Sequence, residues 1–370
     1  MNVHSAVDSP VLTGTTLRRL AFANRFSVAP MTRISATAEG VPTERMVRYY
    51  ERFPKGGFSL LTTEGIYTDK AYAQTYRGQP GLTDPEQAEG WKTVVDAVHA
   101  AGGRIFAQLM HGGALAQGNR FRSDTVGPSS LQPRGQQMVS YHGEGLYAVP
   151  REMDEVDIAE AISGFAQAAR LAIDVAGFDG IEIHGANGYL LDQFFTDYTN
   201  RRQDRWGGDI GKRLNLSLAV LEAVRGAVGN AVPVGIRLSQ GKVNDLKHKW
   251  TEGEEGAAVV FKAVAESSAD FVHLTEFEAW QPAFSDDGKS LVALARQHAP
   301  DLFVIANGGL HELTRAEQVL EAGADMIALG RGALTNPDWP RIAAEKREAR
   351  PLQLEMLAPI SDIKDTELRY

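Results

Sequence analysis

His184 and Asn187 stand three residues apart in the stretch HGANGY, and Tyr189 follows two residues later. If the run from Gly180 to His184 is a strand, this group lies just past its end, where two side-chain donors can converge on one oxygen while a phenol offers a proton. That is equipment for polarising an electrophile beside an acid. A single histidine at a strand end is more often structural, but three polar groups within six residues of a stretch otherwise expected to be apolar favour chemistry.

Two glycine sites occur later, Gly308 with Gly309 and Gly330 before Arg331. Glycine turns let backbone N–H groups approach an anion closely, and Arg331 adds a fixed positive charge. A glycine pair alone commonly marks a tight turn, whereas glycines after both of the last two strands of an α/β barrel form that fold's phosphate signature. Gln108 and Arg237 would face the same mouth from neighbouring strands. An arginine inside a barrel is costly unless it meets an anion, and the plainer alternative is a salt bridge to Glu182 or Asp270.

These residues need a frame that brings distant segments to one rim. Short β-rich runs alternate with longer stretches of helical period, which predicts a parallel sheet covered by helices. The strand candidates are Phe26 to Pro30, Phe58 to Gly65, Arg104 to Leu109, Gly180 to His184, Val232 to Leu238, Phe271 to Thr275, Leu302 to Asn307 and Met326 to Leu329. Eight such units close a barrel, so the expected fold class is α/β, a single-domain (β/α)8 TIM barrel spanning residues 1–370 and ending where the barrel does. Helix starts are legible too, as in Thr83-Asp84-Pro85-Glu86, where an N-cap aspartate precedes a first-turn proline. Residues 1–25 are expected to cap the end remote from the site. Residues 112–153, rich in Gly, Pro, Ser and Gln, are too long for an ordinary connection and are expected to form part of a substrate rim, or else a plain surface excursion.

Composition narrows the chemistry. The 370-residue chain has no cysteine, which excludes disulfides, thiolate nucleophiles and cysteine-held metal clusters, so redox work would need an organic cofactor. Its net charge of −9 comes without a long basic run, which argues against nucleic acid, and no stretch reaches the roughly 20 apolar residues of a bilayer span. A cytoplasmic protein without a membrane partner is expected, and whether it is a homo-oligomer stays open.

At the quoted residues the sequence resembles the old yellow enzyme family of flavin mononucleotide (FMN) oxidoreductases. The matching motifs are NRFSVAPMTR at 24–33, TTEGIY at 62–67, AQLMHGG at 107–113, FDGIEIHGANGYLLDQFF at 178–195 with NRRQDRWGG after it, VGIRLS at 234–239, ANGGL at 306–310 and LGRGALTNPDWP at 329–340. The resemblance implies that Ala29, Pro30, Met31 and Thr32 line the flavin, with the Thr32 hydroxyl on the ring carbonyl near the reactive nitrogen. It places Gly65, Gln108 and Arg237 at the ring's polar edge and Gly308, Gly309, Gly330 and Arg331 around the phosphate. His184 and Asn187 would grip a substrate carbonyl, and Tyr189 would donate the proton. The implied activity is that of an ene-reductase: NADPH or NADH reduces FMN, and hydride then passes to the β carbon of a small-molecule α,β-unsaturated carbonyl or nitro compound. Thr32 and Ile34 stand where one branch of the family has Cys and Tyr, which favours the branch with Thr and the His/Asn pair. HGGA at 111–114 lacks the arginine many bacterial members carry there, and the segments 239–250 and 274–284 depart from the family pattern. Trp280 and Phe284 could wall the flavin or anchor a loop. The rival reading, a phosphate-binding barrel lyase or isomerase, would need a lysine or a metal-binding carboxylate cluster at strand ends.

Overall fold

A computed structural model describes residues 9–369. Its frame is β1 (Phe26–Val28), β2 (Leu60–Thr62), β3 (Arg104–Met110), β4 (Gly180–His184), β5 (Val234–Ser239), β6 (Phe271–Thr275), β7 (Phe303–Asn307) and β8 (Met326–Leu329). Each pairs in parallel with the next, and β8 pairs with β1, so the expected (β/α)8 barrel closes. Helices α1 (Glu44–Lys55), α2 (Pro85–Ala100), α3 (Glu155–Leu171), α4 (Asn215–Val228), α5 (Gly253–Ala265), α6 (Leu291–His298) and α7 (Leu313–Glu321) separate the strands, and α8 (Trp339–Ala344) follows the last one. The predicted N-cap holds: the Asp84 carboxylate accepts the Gln87 N–H at 2.9 Å, with Pro85 opening α2.

Several strands are shorter than their sequence signal. The second candidate, Phe58 to Gly65, keeps only Leu60–Thr62 in the main ladder, and Ile66–Tyr67 rejoins β3 separately. The fifth shifts from Val232–Leu238 to Val234–Ser239. Apolar residues signal burial, not pairing, so flanking loops that are also buried read as strand.

The lower barrel interior is apolar. Leu60, Phe106, Phe271, Phe303, Ile305 and Met326 fill it, and Leu17 and Phe22 of the hairpin Thr15–Leu17/Leu20–Phe22 pack beneath them. That hairpin lies within the segment expected to cap this end; residues 1–8 lie outside the described residues. The Phe106 and Phe271 rings meet at 5.5 Å between centroids. Room for them comes from glycines on neighbouring strands: a Cβ at Gly180 would lie 2.7 Å from the Phe106 ring, and one at Gly235 would lie 2.4 Å from the Phe271 carbonyl.

Because both rings are fully enclosed, Gly180→Ala should overpack the interior and destabilise the fold by about 1–3 kcal/mol. A denaturant titration would read this as a lowered midpoint with unchanged slope; a parent-like midpoint would mean the Phe106 ring has room to yield.

Candidate active site

Above the apolar layer the inward positions turn polar, and the parallel register puts them in rows. Arg237 of β5 stands level with His184 of β4 and His273 of β6, and Glu182 stands level with Gln108 of β3. Glu182 is fully buried; one oxygen accepts Gln108 Nε2 at 2.7 Å and the other lies 2.7 Å from His273 Nδ1. Burial pushes this carboxyl up, but His273, Arg237 and Gln108 outweigh it and hold it below the ordinary range. A charged carboxylate thus sits under the mouth. Arg237 donates to Asn307 Oδ1 at 3.0 Å, and Asn307 also accepts Thr275 Oγ1 at 2.7 Å. Neither salt bridge considered for Arg237 forms. Glu182 is engaged as described, and Asp270 pairs with Arg18 and Arg225.

Over this layer opens a cavity of about 360 Å³, within the usual size of a small-molecule site. Seven strand ends contribute to its wall, which includes Pro30, Met31, Thr32, Gln108, His184, Asn187, Tyr189, Arg237, Gly308, Gly309, Gly330 and Arg331. Two expected wall residues are absent from it. Ala29 packs into the lower apolar cluster beside Leu60, and Gly65 turns against Met110, whose sulfur a Cβ would overlap. Ala29 faces the barrel interior below the cavity, and Gly65 lies past the end of β2 at Thr62. The polar residues Glu64 and His111, also at strand ends, face elsewhere: Glu64 accepts the N–H groups of Arg33 and Ile34 at 2.9 and 3.0 Å, and His111 lies 3.5 Å from Asp69.

The HGANGY turn presents its side chains as a unit. His184 Nδ1 accepts the Ala186 N–H at 3.3 Å, which leaves Nε2 to carry the proton. Burial, reinforced by Arg237 and His273, pushes this imidazole well below its ordinary range, so it is a neutral donor. Asn187 adopts a left-handed φ of 62°, rare outside glycine, and its N–H donates to Ser239 Oγ at 2.8 Å. The Tyr189 ring meets His184 edge-on, and its hydroxyl lies 2.6 Å from that of Tyr76. Burial pushes the Tyr189 phenol above its ordinary range, so it stays protonated.

The 112–153 segment carries Met138 and Tyr141 to the wall, and Tyr141 donates to the Thr32 carbonyl at 3.3 Å. The chain does not end with the barrel. Past α8 it crosses back to the mouth, where Leu357 joins the wall and Glu367 pairs with buried Arg33 and Arg52. Trp280 and Phe284 stay off the wall: Trp280 packs over Gly309 beneath Arg315, and Phe284 packs beside Trp250. Phe277 takes the exposed position instead. Sequence reasoning also missed Tyr76, which sits in a loop with no periodic signal, and His273, whose alternation with Phe271 and Thr275 could have marked it as inward.

Two observations test whether FMN fits. Buried Arg237 has no hydrogen-bond partner at Nε among the described residues, an unmet donor suited to an anionic ring edge. Gly308 and Gly309 hold φ of 141° and 65°, and a Cβ at Gly308 would lie 2.2 Å from the Glu276 carbonyl, so only glycine permits this turn. The residues present fit a flavin phosphate ester.

Fold and site together define a flavin-type TIM-barrel oxidoreductase. The profile of the NADH:flavin oxidoreductase / NADH oxidase family matches residues 13–350. A probable flavin mononucleotide-dependent alkene reductase of Leishmania infantum is 34% identical over 323 residues, 85% of each chain. A flavin oxidoreductase of Emericella nidulans is 35% identical, covering 90% of this chain and 89% of that one. Among solved structures, the old yellow enzyme homologue of Zymomonas mobilis superposes with a TM-score of 0.84 at 29% identity over 97% of this chain and 99% of that one. Morphinone reductase in complex with tetrahydroNAD gives 0.82 at 28% identity over 94% and 93%. The chain belongs to this family, that of the old yellow enzymes, and is an FMN-dependent NAD(P)H oxidoreductase. No helix among its described residues is long and apolar enough to cross a membrane.

Burial pushes the Glu64 carboxyl up to about 7 from 4.5, against the two backbone N–H bonds it accepts. A raised value in the fold favours the protonated form, so its contribution to stability is complete below pH 4.5 and is lost as pH rises through about 7. Glu64→Gln, a mimic of the protonated carboxyl, should therefore remove a pH-dependent loss of up to about 3 kcal/mol between those limits. Parallel denaturation curves at pH 5 and pH 8 would show it; an equal pH slope in parent and variant would refute it.

Proposed function

We propose that the chain reduces uncharged α,β-unsaturated carbonyl or nitro compounds with electrons from NADH or NADPH, and that Tyr189 protonates the α carbon. The observation that carries this reading is that one turn sets a neutral histidine, an asparagine and a protonated phenol on a single wall of the cavity. Gln108 and Arg237 would hold the polar edge of the flavin ring, Thr32 its nearer carbonyl, and Gly308, Gly309, Gly330 and Arg331 its phosphate, with Pro30 and Met31 alongside. FMN, when bound, supplies the hydride that reaches the β carbon.

The side chains do the remaining work. His184 Nε2–H and the Asn187 amide donate to the substrate oxygen, and both bonds strengthen as that oxygen gains charge. A neutral imidazole suits this task because its donor capacity does not vary with pH across the physiological range. Tyr189 then gives its proton to the α carbon, and the short contact with Tyr76 holds the phenol in place. Met138, Tyr141, Val243 and Leu357 exclude water from this side of the cavity. The cation beside them, Arg33, is committed to Glu367 at 2.5 Å.

An anaerobic visible spectrum tests the cycle: the flavin band should bleach with NADPH and return with cyclohexenone, whereas a protein that takes up no FMN would end this reading. His184→Ala should retain FMN but slow enone reduction about 100-fold, the usual cost of losing one oxyanion donor. Tyr189→Phe should leave reduction by NADPH intact while slowing reoxidation by the enone at least about 100-fold. Stopped-flow traces of the two half-reactions separate these effects; parent-like reoxidation in the tyrosine variant would show that another group supplies the proton.

A further inference from the structure

The segment after β5 matches no familiar pattern, yet it supplies a lysine that is almost wholly enclosed. Lys242 is 2% exposed and its partner Asp192 0%, and Nζ reaches both carboxylate oxygens, at 2.7 and 2.9 Å. Asp192 belongs to the short helix Leu190–Phe195 that follows the HGANGY turn. It spends its oxygens on that neighbourhood: Oδ2 accepts the Gly188 N–H at 2.6 Å, and Oδ1 accepts Thr196 Oγ1 at 3.1 Å. Gly188 lies between Asn187 and Tyr189, the two residues that must be aimed.

The backbone around Lys242 grips the same turn from its other side. Asn187 pairs with Lys242 in an isolated parallel bridge, the Val243 N–H donates to the Asn187 carbonyl at 3.0 Å, and Ser239 Oγ accepts the Asn187 N–H. The turn itself is strained, with left-handed φ at both Asn187 and Gly188, at 62° and 89°. A left-handed asparagine persists only where its surroundings over-determine it. Stability alone would not call for this pair, since an apolar couple of similar volume commonly serves a core as well as a buried ion pair does. What an apolar couple lacks is direction.

We infer that Lys242 is a positioning residue: through Asp192 and Gly188 it fixes the turn that aims Asn187 and Tyr189, and so sets how tightly the site holds a substrate oxygen. The inference rests on the proposed role of that turn. It assigns Lys242 no contact with substrate or FMN, since the lysine does not reach the cavity wall.

The test removes both charges at once, because Lys242→Met alone would strand a buried carboxylate and could fail to fold. In the FMN-loaded double variant Lys242→Met/Asp192→Leu, we expect FMN content and thermal midpoint close to the parent's. Affinity for p-hydroxybenzaldehyde, read from the perturbed flavin spectrum, should fall at least about tenfold, and kcat for cyclohexenone should fall with it, as small misplacements of aimed groups produce. A second variant, Val259→Ala on the exposed face of α5, controls for mutation as such and should bind the phenol like the parent. Parent-like phenol affinity in the folded, FMN-loaded double variant would overturn the inference. A parent that neither binds the phenol nor reduces the enone would instead remove the reading of the turn, and this inference with it.

Discussion

A fully buried carboxylate, Glu182, governs the arrangement of the mouth. Burying a lone carboxylate costs several kcal/mol even after relaxation, so it persists only if its neighbours answer it. They do so from adjacent strands: Gln108 donates from β3, His273 from β6, and Arg237 stands close enough from β5 to favour the charge. None of the three is then free to adopt another rotamer. The barrel interior changes at this level from interlocked rings to a fixed polar floor, and the cavity opens directly above it. His184 owes its neutrality to the same floor, because the Arg237 charge and burial both act against a second proton.

Much of this was legible because a parallel barrel converts sequence period into position. Residues two apart on a strand face the same way, so a polar residue at the inward position nearest the C-terminal end must enter the mouth. That argument found Gln108, His184 and Arg237 correctly as wall residues, and turn chemistry found Gly308, Gly309 and Gly330. It did not resolve height within the interior or position past a strand end. Ala29 faces the apolar cluster below the cavity, and Gly65, past the end of β2, packs against Met110. Glu64 and His111 are polar at strand ends for a different reason, holding backbone and loop outside the cavity.

Individual side chains delivered by loops were not legible, although the 112–153 segment as a whole read as part of a rim or as a surface excursion. Tyr76, Met138 and Tyr141 come from connections without period, and Leu357 from a segment that follows the last barrel helix. Their places are set by long-range bonds, such as Tyr141 to the Thr32 carbonyl and Arg33 to the Ser361 carbonyl and Glu367. No local rule anticipates pairings across more than 100 residues of chain. Trp280 illustrates the converse error. An aromatic near a cavity invites a stacking role, but here the ring fills the space that Gly309 leaves.

The division of labour between strand and loop has a chemical reason. The floor must hold a fixed charge pattern, which a register of parallel strands supplies with little freedom to drift. The wall that meets the substrate must be dry if a phenol is to stay protonated and an imidazole neutral, and only apolar side chains folded over the mouth provide that. Tyr189 is 5% exposed although it stands at a barrel rim, and among the residues packed around it Met138 and Tyr141 come from the 112–153 segment, Val243 from the segment after β5 and Ile360 from the C-terminal segment. The strand ends and the turn after β4 thus place the polar groups, while the surrounding loops set the dielectric around them. Variation in the 112–153 segment can reshape the mouth and leave the turn and its charged floor intact, whereas the segment after β5 also holds that turn through Lys242 and Val243.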